Sequence, residues 1–525
     1  MSQPRPEGLR WSPPIELRPA ERLIAKRLKR SGRLFLFLRE HRHNLFDEAF
    51  QEELAKMYSD APRGVAPRPP ALLAMVTLLQ AYENESDAGA VECAVFDRRW
   101  QMVLDCLGAD EAVFSQGVLV DFRRRLIAHN LDRRMLERTV ELARETGKFG
   151  FKQLRVALDS SPLWGAGRVE DTFNLLGHAL GVVIDCAAMQ LKIKPAQIEA
   201  EAGLTLLGGS SLKAELDIDW DDPKQQDDAL MRLLDEVRRL RAWVDARVAG
   251  GAADPPLKLA LELLERVIAQ DLEPDPAGGG RLRIRRGVAR DRRISVTDPD
   301  MRHGRKSKSR LFNGYKRHVA RELESGLILA AAASPANQPE HELADALRGE
   351  VESYAPVEEL HIDRGYLASA WAAQQFDSGK PLLSKPWPVR NGDRFPKTAF
   401  KIDLARKQVR CPEQQIATIE HGRAQFDADT CAVCPSQSRC TRSASGRSVS
   451  IHEREAMLIA LRTARSTPEG RVRLRQRLGV EHTLAHLSQR QGNRARYRTL
   501  RKNTFDLRRH GAIINLQTAD RLRAA

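Results

Sequence analysis

RVALDSSPLWGAG, residues 155–167, is the stretch whose reading decides the fold. Val156, Ala157 and Leu158 form a short apolar run, and Ser160-Ser161-Pro162 reads as its stop. The spacing predicts a buried strand that delivers one carboxylate, Asp159, to its C-terminal end. A lone Asp there serves as a cap or turn residue. It becomes a candidate ligand only if other carboxylates converge on it.

HIDRGY, residues 361–366, has the same build: an apolar run around Ile362 ends on Asp363, and Arg364-Gly365 breaks it. Two strands of one sheet would then each present an Asp at the end where α/β proteins place their sites. Alone, Asp363 is again a turn residue; paired with Asp159, it suggests a hard divalent cation, which takes carboxylate oxygens and substrate phosphates together. The third candidate acid is Glu481, in RVRLRQRLGVEHTLAHLSQRQG, residues 471–492. The spacing predicts one helix there, with Leu474, Leu478, Thr483, Leu484 and Leu487 along one side. Glu481 lies near that stripe, placed either to face the sheet or to pair on the surface with Arg477 at i−4.

Around these segments the chain divides by composition. Residues 1–150 read as a helical domain, with RPPALLAMVTLLQAYENES (68–86) on helical spacing and Ser115 as an N-cap for GVLVDFRRRL. The latter helix offers Arg123, Arg124 and Arg125 either to phosphates or to solvent. Residues 151–525 read as an α/β core in the order β, insert, β, β, α, β, α, β, a mixed sheet flanked by helices. Two inserts interrupt it, a helical one at about 200–290 and a Cys-rich one at about 401–446.

The net charge is +15, and from Thr441 to Ala525 there are 19 Lys and Arg against six Asp and Glu. A basic segment of that size favours a polyanion, and DNA is the expected partner. RHGRKSKSRLFNGYKRH, residues 302–318, adds Lys306, Lys308, Arg310 and Lys316 as candidate phosphate contacts, and Arg364 and Arg477 stand beside the candidate acids. MSQPRPEGLRWSPP has no apolar signal region, and GLILAAAAS is too short to span a bilayer. The expectation is a cytoplasmic, nucleoid-associated protein without membrane contact. Seven cysteines in 525 residues argue against a disulfide scaffold. Four of them, Cys411, Cys431, Cys434 and Cys440, follow the pattern C-x19-C-x2-C-P-x4-C. They can bind a structural zinc, hold an iron–sulfur or redox centre, or remain free thiols.

With these residues in place, the chain resembles the DDE transposases of bacterial insertion sequences. ALDSSPLWGAGRVEDTFNLL (157–176) is similar to the segment carrying that family's first Asp, and DPDMRHGRKSKSRLFNGYKRHV (298–319) to its basic approach to the second strand. HIDRGY is similar to the second-Asp segment and RLGVEHTLAHL (477–487) to the Glu helix, while FSQGVLVDFRRRL (114–126) resembles the helical domain preceding the core in one branch. The resemblance implies an RNase H-like core in which Asp159, Asp363 and Glu481 hold Mg²⁺ or Mn²⁺. It further implies cleavage of element ends, strand transfer by two-metal phosphoryl transfer, double-stranded DNA as partner, and a homodimer or higher assembly. The family signature Tyr-x2-Arg-x3-Glu-x6-Lys is met at Arg477 and Glu481, but Leu474 and Ser488 stand where Tyr and Lys are expected. A metal-dependent nuclease without strand transfer, or a non-transposing DNA-binding relative, are the rival readings.

Overall fold

The computed structural model describes residues 9–29, 32–58, 67–209, 211–248, 253–276, 278, 280–307 and 309–524. Its central sheet contains β1 (Leu154–Trp164), β2 (Leu311–Glu322), β3 (Ile328–Pro335), β4 (Val357–Ile362) and β5 (Leu382–Leu383). They lie in the order β3-β2-β1-β4-β5, and a short strand Arg302–Arg305 pairs with the start of β2. β2 runs antiparallel to both β1 and β3, whereas β4 is parallel to β1 and β5 to β4. The fold is α/β, as expected. Leu154, Val156, Ala157 and Leu158 are all buried, as a strand covered on both faces requires.

β1 does not stop at the Ser-Ser-Pro. It continues to Trp164, paired with β2 from Val156↔Glu322 to Trp164↔Gly314. β4 leaves it after Leu158↔Ile362. Beyond Leu158 the strand therefore lacks its β4 neighbour, which makes Pro162 tolerable inside it.

Small residues set the packing of β3. Its alanines let the long helix Leu500–Arg523 approach closely, and side chains of that helix satisfy the strand's backbone. Asn515 accepts from the Ile328 N–H at 2.8 Å and donates to its carbonyl at 2.9 Å. Arg508 donates to the Ala331 carbonyl and Thr504 accepts from the Ala333 N–H. The sheet edge is thus covered rather than exposed to other strands.

The helices between Pro19 and Gly147 share one apolar core with this sheet and with Leu500–Arg523. Pro70–Glu83 is buried along nearly its whole length, and Ser115 caps Gln116–Ala128, its hydroxyl accepting from the Val118 N–H. A second core gathers Thr172–Leu191, Pro223–Arg247 and Pro255–Asp271, so the helical insert packs from Phe173 onward, earlier than the composition change near residue 200. Thr172–Leu191 is long and apolar enough to cross a membrane, but its buried residues face the other helices of this core. A third, small core lies in a five-stranded meander between Lys401 and Ser450 that carries the Cys-rich segment.

The helix expected over 471–492 is two helices, Pro468–Arg475 and Leu478–Gln491, broken at Gln476-Arg477. The break changes which residues face inward: Leu478 is exposed, and Val480, Thr483, Leu484 and Leu487 form the buried side.

Candidate active site

Asp159 and Asp363 follow directly on Leu158 and Ile362, the last matched pair of the parallel strands β1 and β4. Side chains at equal register in parallel strands share a face, and Asp363 keeps extended backbone (φ −81°, ψ 167°), so both carboxylates point to one side. They line a cleft of about 760 Å³ together with Glu481, from the first turn of Leu478–Gln491. The three predicted acids, 322 residues apart from first to last, therefore meet.

Arg477 organises them. One guanidinium nitrogen donates to Asp159 at 2.7 Å and another to Glu481 at 2.5 Å. Both readings of Glu481 thus hold at once: it pairs with Arg477 at i−4 and it faces the sheet. The helix break matters here, because Arg477 sits at the N-cap, where its side chain can reach β1. Burial pushes the Asp159 carboxyl up to about 6; Asp363 and Glu481 add to the rise, while Arg477 and the Ser160 N–H oppose it.

A fourth carboxylate escaped the sequence reading. Glu340, first residue of the helix Glu340–Glu352, lines the cleft and accepts from the Ser160 hydroxyl at 2.5 Å. An acid at a helix start is ordinary, since it suits the helix dipole, so nothing in the sequence marks it. Gly365 stands beside it: a Cβ there would lie 1.7 Å from a Glu340 carboxylate oxygen, so a larger residue would push that side chain aside.

The basic candidates divide. Lys306 and Lys316 line the cleft; Lys306 is exposed, while Lys316 is half-buried and donates to the Gln338 carbonyl at 2.8 Å. Arg310 is exposed on the same loop. Lys308 lies outside the described residues. Arg364 is half-buried beside Asp363, its Nε without a hydrogen-bond partner among the described residues. Arg123, expected to meet phosphates, is instead buried in a two-pronged pair with Asp87, both bonds 2.6 Å. Its charge is consumed inside the helical region. The same holds for part of the basic C-terminal segment: Arg501 and Arg508 converge on buried Asp132, and Arg509 pairs with Asp506. Ser488, at the expected Lys position, accepts from buried Arg317 at 2.8 Å. That places a cation close to where the family signature has one, but on β2.

Among the described residues no three His, Cys, Asp or Glu side chains are gathered tightly enough to enclose one ion. For a magnesium ion this is compatible with the donor set. Mg²⁺ keeps several waters and takes one or two carboxylates plus substrate phosphates, and oxygen donors facing one open cleft suit it. Structural zinc demands more, four thiolates about 3.8 Å apart around one centre, and Cys411, Cys431, Cys434 and Cys440 do not form such a group. All four cysteines nonetheless line one cavity of the Lys401–Ser450 meander.

Residues 24–125 match the Transposase domain (DUF772) family, and residues 407–518 match the Transposase DDE domain family. The second match includes Arg477, Glu481 and the four clustered cysteines; neither reaches Asp159 or Asp363. Together these two matches support a DDE transposase of an insertion sequence. No curated protein and no solved structure matches it at a significant level.

Proposed function

We propose that this transposase cuts the ends of its element and joins them to target DNA by phosphoryl transfer at the cleft of Asp159, Asp363 and Glu481. The observation that carries the reading is the register of Asp159 and Asp363, each just past the last β1–β4 pair, which brings them onto one face opposite a helix-borne Glu. The strand order, with β2 alone antiparallel beside β1 and two parallel strands on the other side, supports an RNase H-like core. Asp159, Asp363 and Glu481 would hold Mg²⁺ or Mn²⁺, which supplies charge neutralisation and an activated attacking oxygen.

The remaining work falls to the chain's own residues. Lys306 and Lys316 on the cleft wall fit phosphate contacts that position a DNA backbone without reading its sequence. Arg477 holds Asp159 and Glu481 in place and is close enough to the same cleft to meet a phosphate. Carboxylates fixed by such bonds need little reorganisation when charge develops. Double-stranded DNA is the partner, bound by a homodimer or higher assembly in the cytoplasm at the nucleoid. Residues 1–150 are read as a DNA-contacting helical region. The test is strand cleavage on DNA carrying the gene's native flanks, wild type against Asp363→Asn. Loss of cleavage with DNA binding kept supports the reading; full activity in the variant contradicts it.

A further inference from the structure

Trp164 ends β1, the strand that carries Asp159. It is 45% exposed, whereas every other tryptophan of the chain is buried or half-buried. The ring is held in place rather than left loose. It meets Phe312 edge to face, with centroids 6.4 Å apart and planes at 68°. The backbone is fixed as well: the Trp164 N–H donates to the Asn493 carbonyl at 2.8 Å, and its carbonyl accepts from the Ala495 N–H at 2.6 Å. The loop that follows the Glu481 helix is therefore laid along the strand end.

The ring continues the wall of the cleft. Phe312, on which it rests, lines that cleft. So do Ser160 and Pro162, which alternate onto the same face of β1 as Trp164. The strand from Asp159 to Trp164 spans about 17 Å, the length of about five stacked nucleotides. Cations flank the ring on both sides. Arg305 and Lys306 line the cleft together with Phe312. Arg494, bridged to Trp164 across the strand end, donates from Nε to the Gly165 carbonyl at 3.3 Å. All three cations are exposed, and none has an acid partner among the described residues. They differ in this from Arg123, Arg501 and Arg508, whose charge is spent on Asp87 and Asp132.

Lysine and arginine answer phosphates; a tryptophan ring does not. In a paired duplex the base faces are covered by their neighbours, and an exposed ring meets a free base face only where a base has left the stack. Such a base regains its lost contact by lying on an aromatic side chain. We propose that Trp164 is a stacking platform for an unpaired base of the DNA strand held in the cleft, within about five nucleotides of the phosphate at Asp159. The inference rests on the reading of the cleft as the DNA-cutting site. It adds a preference for DNA whose pairs are open beside the cut.

The test is binding without divalent metal, read by fluorescence anisotropy, of two forms of a fragment with the gene's native flank. One form is fully paired, and the other has about five mismatched pairs at the element end. Wild type should prefer the mismatched form. Trp164→Ala should lose about 5- to 100-fold in affinity for it while binding the paired form as wild type does. Trp164→Phe, which keeps a ring, should restore most of the loss. Lys306→Ala, which removes a phosphate contact, should weaken both forms alike. If Trp164→Ala fails to fold, wild type decides through iodouracil placed in the open segment: light-induced cross-linking to Trp164 supports stacking, and cross-linking elsewhere or none overturns it. Equal affinity of wild type for the two forms, or an unchanged preference in Trp164→Ala, overturns the proposal. So does a Trp164→Ala effect seen only as dissociation of protein assemblies in sedimentation. Failure of the cleft reading shows separately, as cleavage surviving in Asp363→Asn, because the binding comparison involves no cleavage.

Discussion

Asp159 and Asp363 occupy equivalent places, each one residue beyond the last pair, Leu158 and Ile362, of two adjacent parallel strands. A one-residue slip in either strand would turn one carboxylate to the opposite face. The buried run on each strand, Val156 to Leu158 and Leu360 to Ile362, fixes that register, and through it the site. Carboxylates held this way carry a cost to folding that substitution exposes.

Asp159→Asn should therefore separate stability from function. The folded pKa of Asp159 is raised to about 6, above its unfolded value. The group then costs stability as pH rises from about 4 to 6, and the cost is complete above 6. In metal-free protein at pH 7.5 the Asn variant should be more stable by about 1–3 kcal/mol, measured by urea unfolding, while strand cleavage is lost. Equal or lower stability would show that Arg477 already compensates the buried charge.

Arg477→Ala should act in two directions. Removing the cation that bridges Asp159 and Glu481 leaves the acids freer to take a divalent ion. Mn²⁺ affinity of the DNA-free protein, read by calorimetry, should rise. Cleavage with DNA should fall by about 10²-fold, because a preorganised charge is missing. A variant with unchanged cleavage would reduce Arg477 to a surface pair.

Glu359 offers a pH test. Burial would raise its carboxyl, but His361, Arg473 and Arg155 hold it down at about 2. Its stabilisation is full above the unfolded carboxylate range and is lost as pH falls toward 2. Arg473 belongs to Pro468–Arg475, so this cluster docks the segment preceding Glu481 onto β4. Glu359→Gln should lower stability at pH 7 by about 2–3 kcal/mol, with the gap to wild type closing below pH 4. A gap that does not change with pH would mean packing, not charge, is what the variant loses.

The Arg123–Asp87 pair predicts a purely structural effect. Arg123→Ala leaves Asp87 partly buried without its partner and should cost roughly 2–4 kcal/mol. At concentrations where it stays folded, DNA affinity and its salt dependence should match wild type in a gel-shift titration. A smaller salt slope would return Arg123 to the phosphate-binding group.

The three acids were legible in the sequence because each interrupts a periodic apolar pattern, and the succession of strands and helices along the chain followed from the alternation of their signals. Other features were hidden for physical reasons. Pro162 reads as a stop, yet β1 loses its β4 neighbour at that point and tolerates it. Gln476-Arg477 breaks a pattern that stays helical on both sides, so the change of buried face from Leu478 to Val480 left no local mark. Charge counted along the chain overstated what is available to DNA, because Arg123, Arg501, Arg508 and Arg509 are committed to Asp partners remote in sequence or buried. Glu340 resembles any helix-opening acid until the fold brings Ser160 to it.

The most direct test of the account is metal-dependent strand cleavage by Glu481→Gln and wild type at equal DNA occupancy, on a fragment with the gene's native flanks. Wild type should nick defined flank positions with Mg²⁺ or Mn²⁺, and the variant should lose that activity by about 10²–10³-fold or more. Cleavage that survives in Glu481→Gln would contradict the assignment of the third acid and the active cleft built on it.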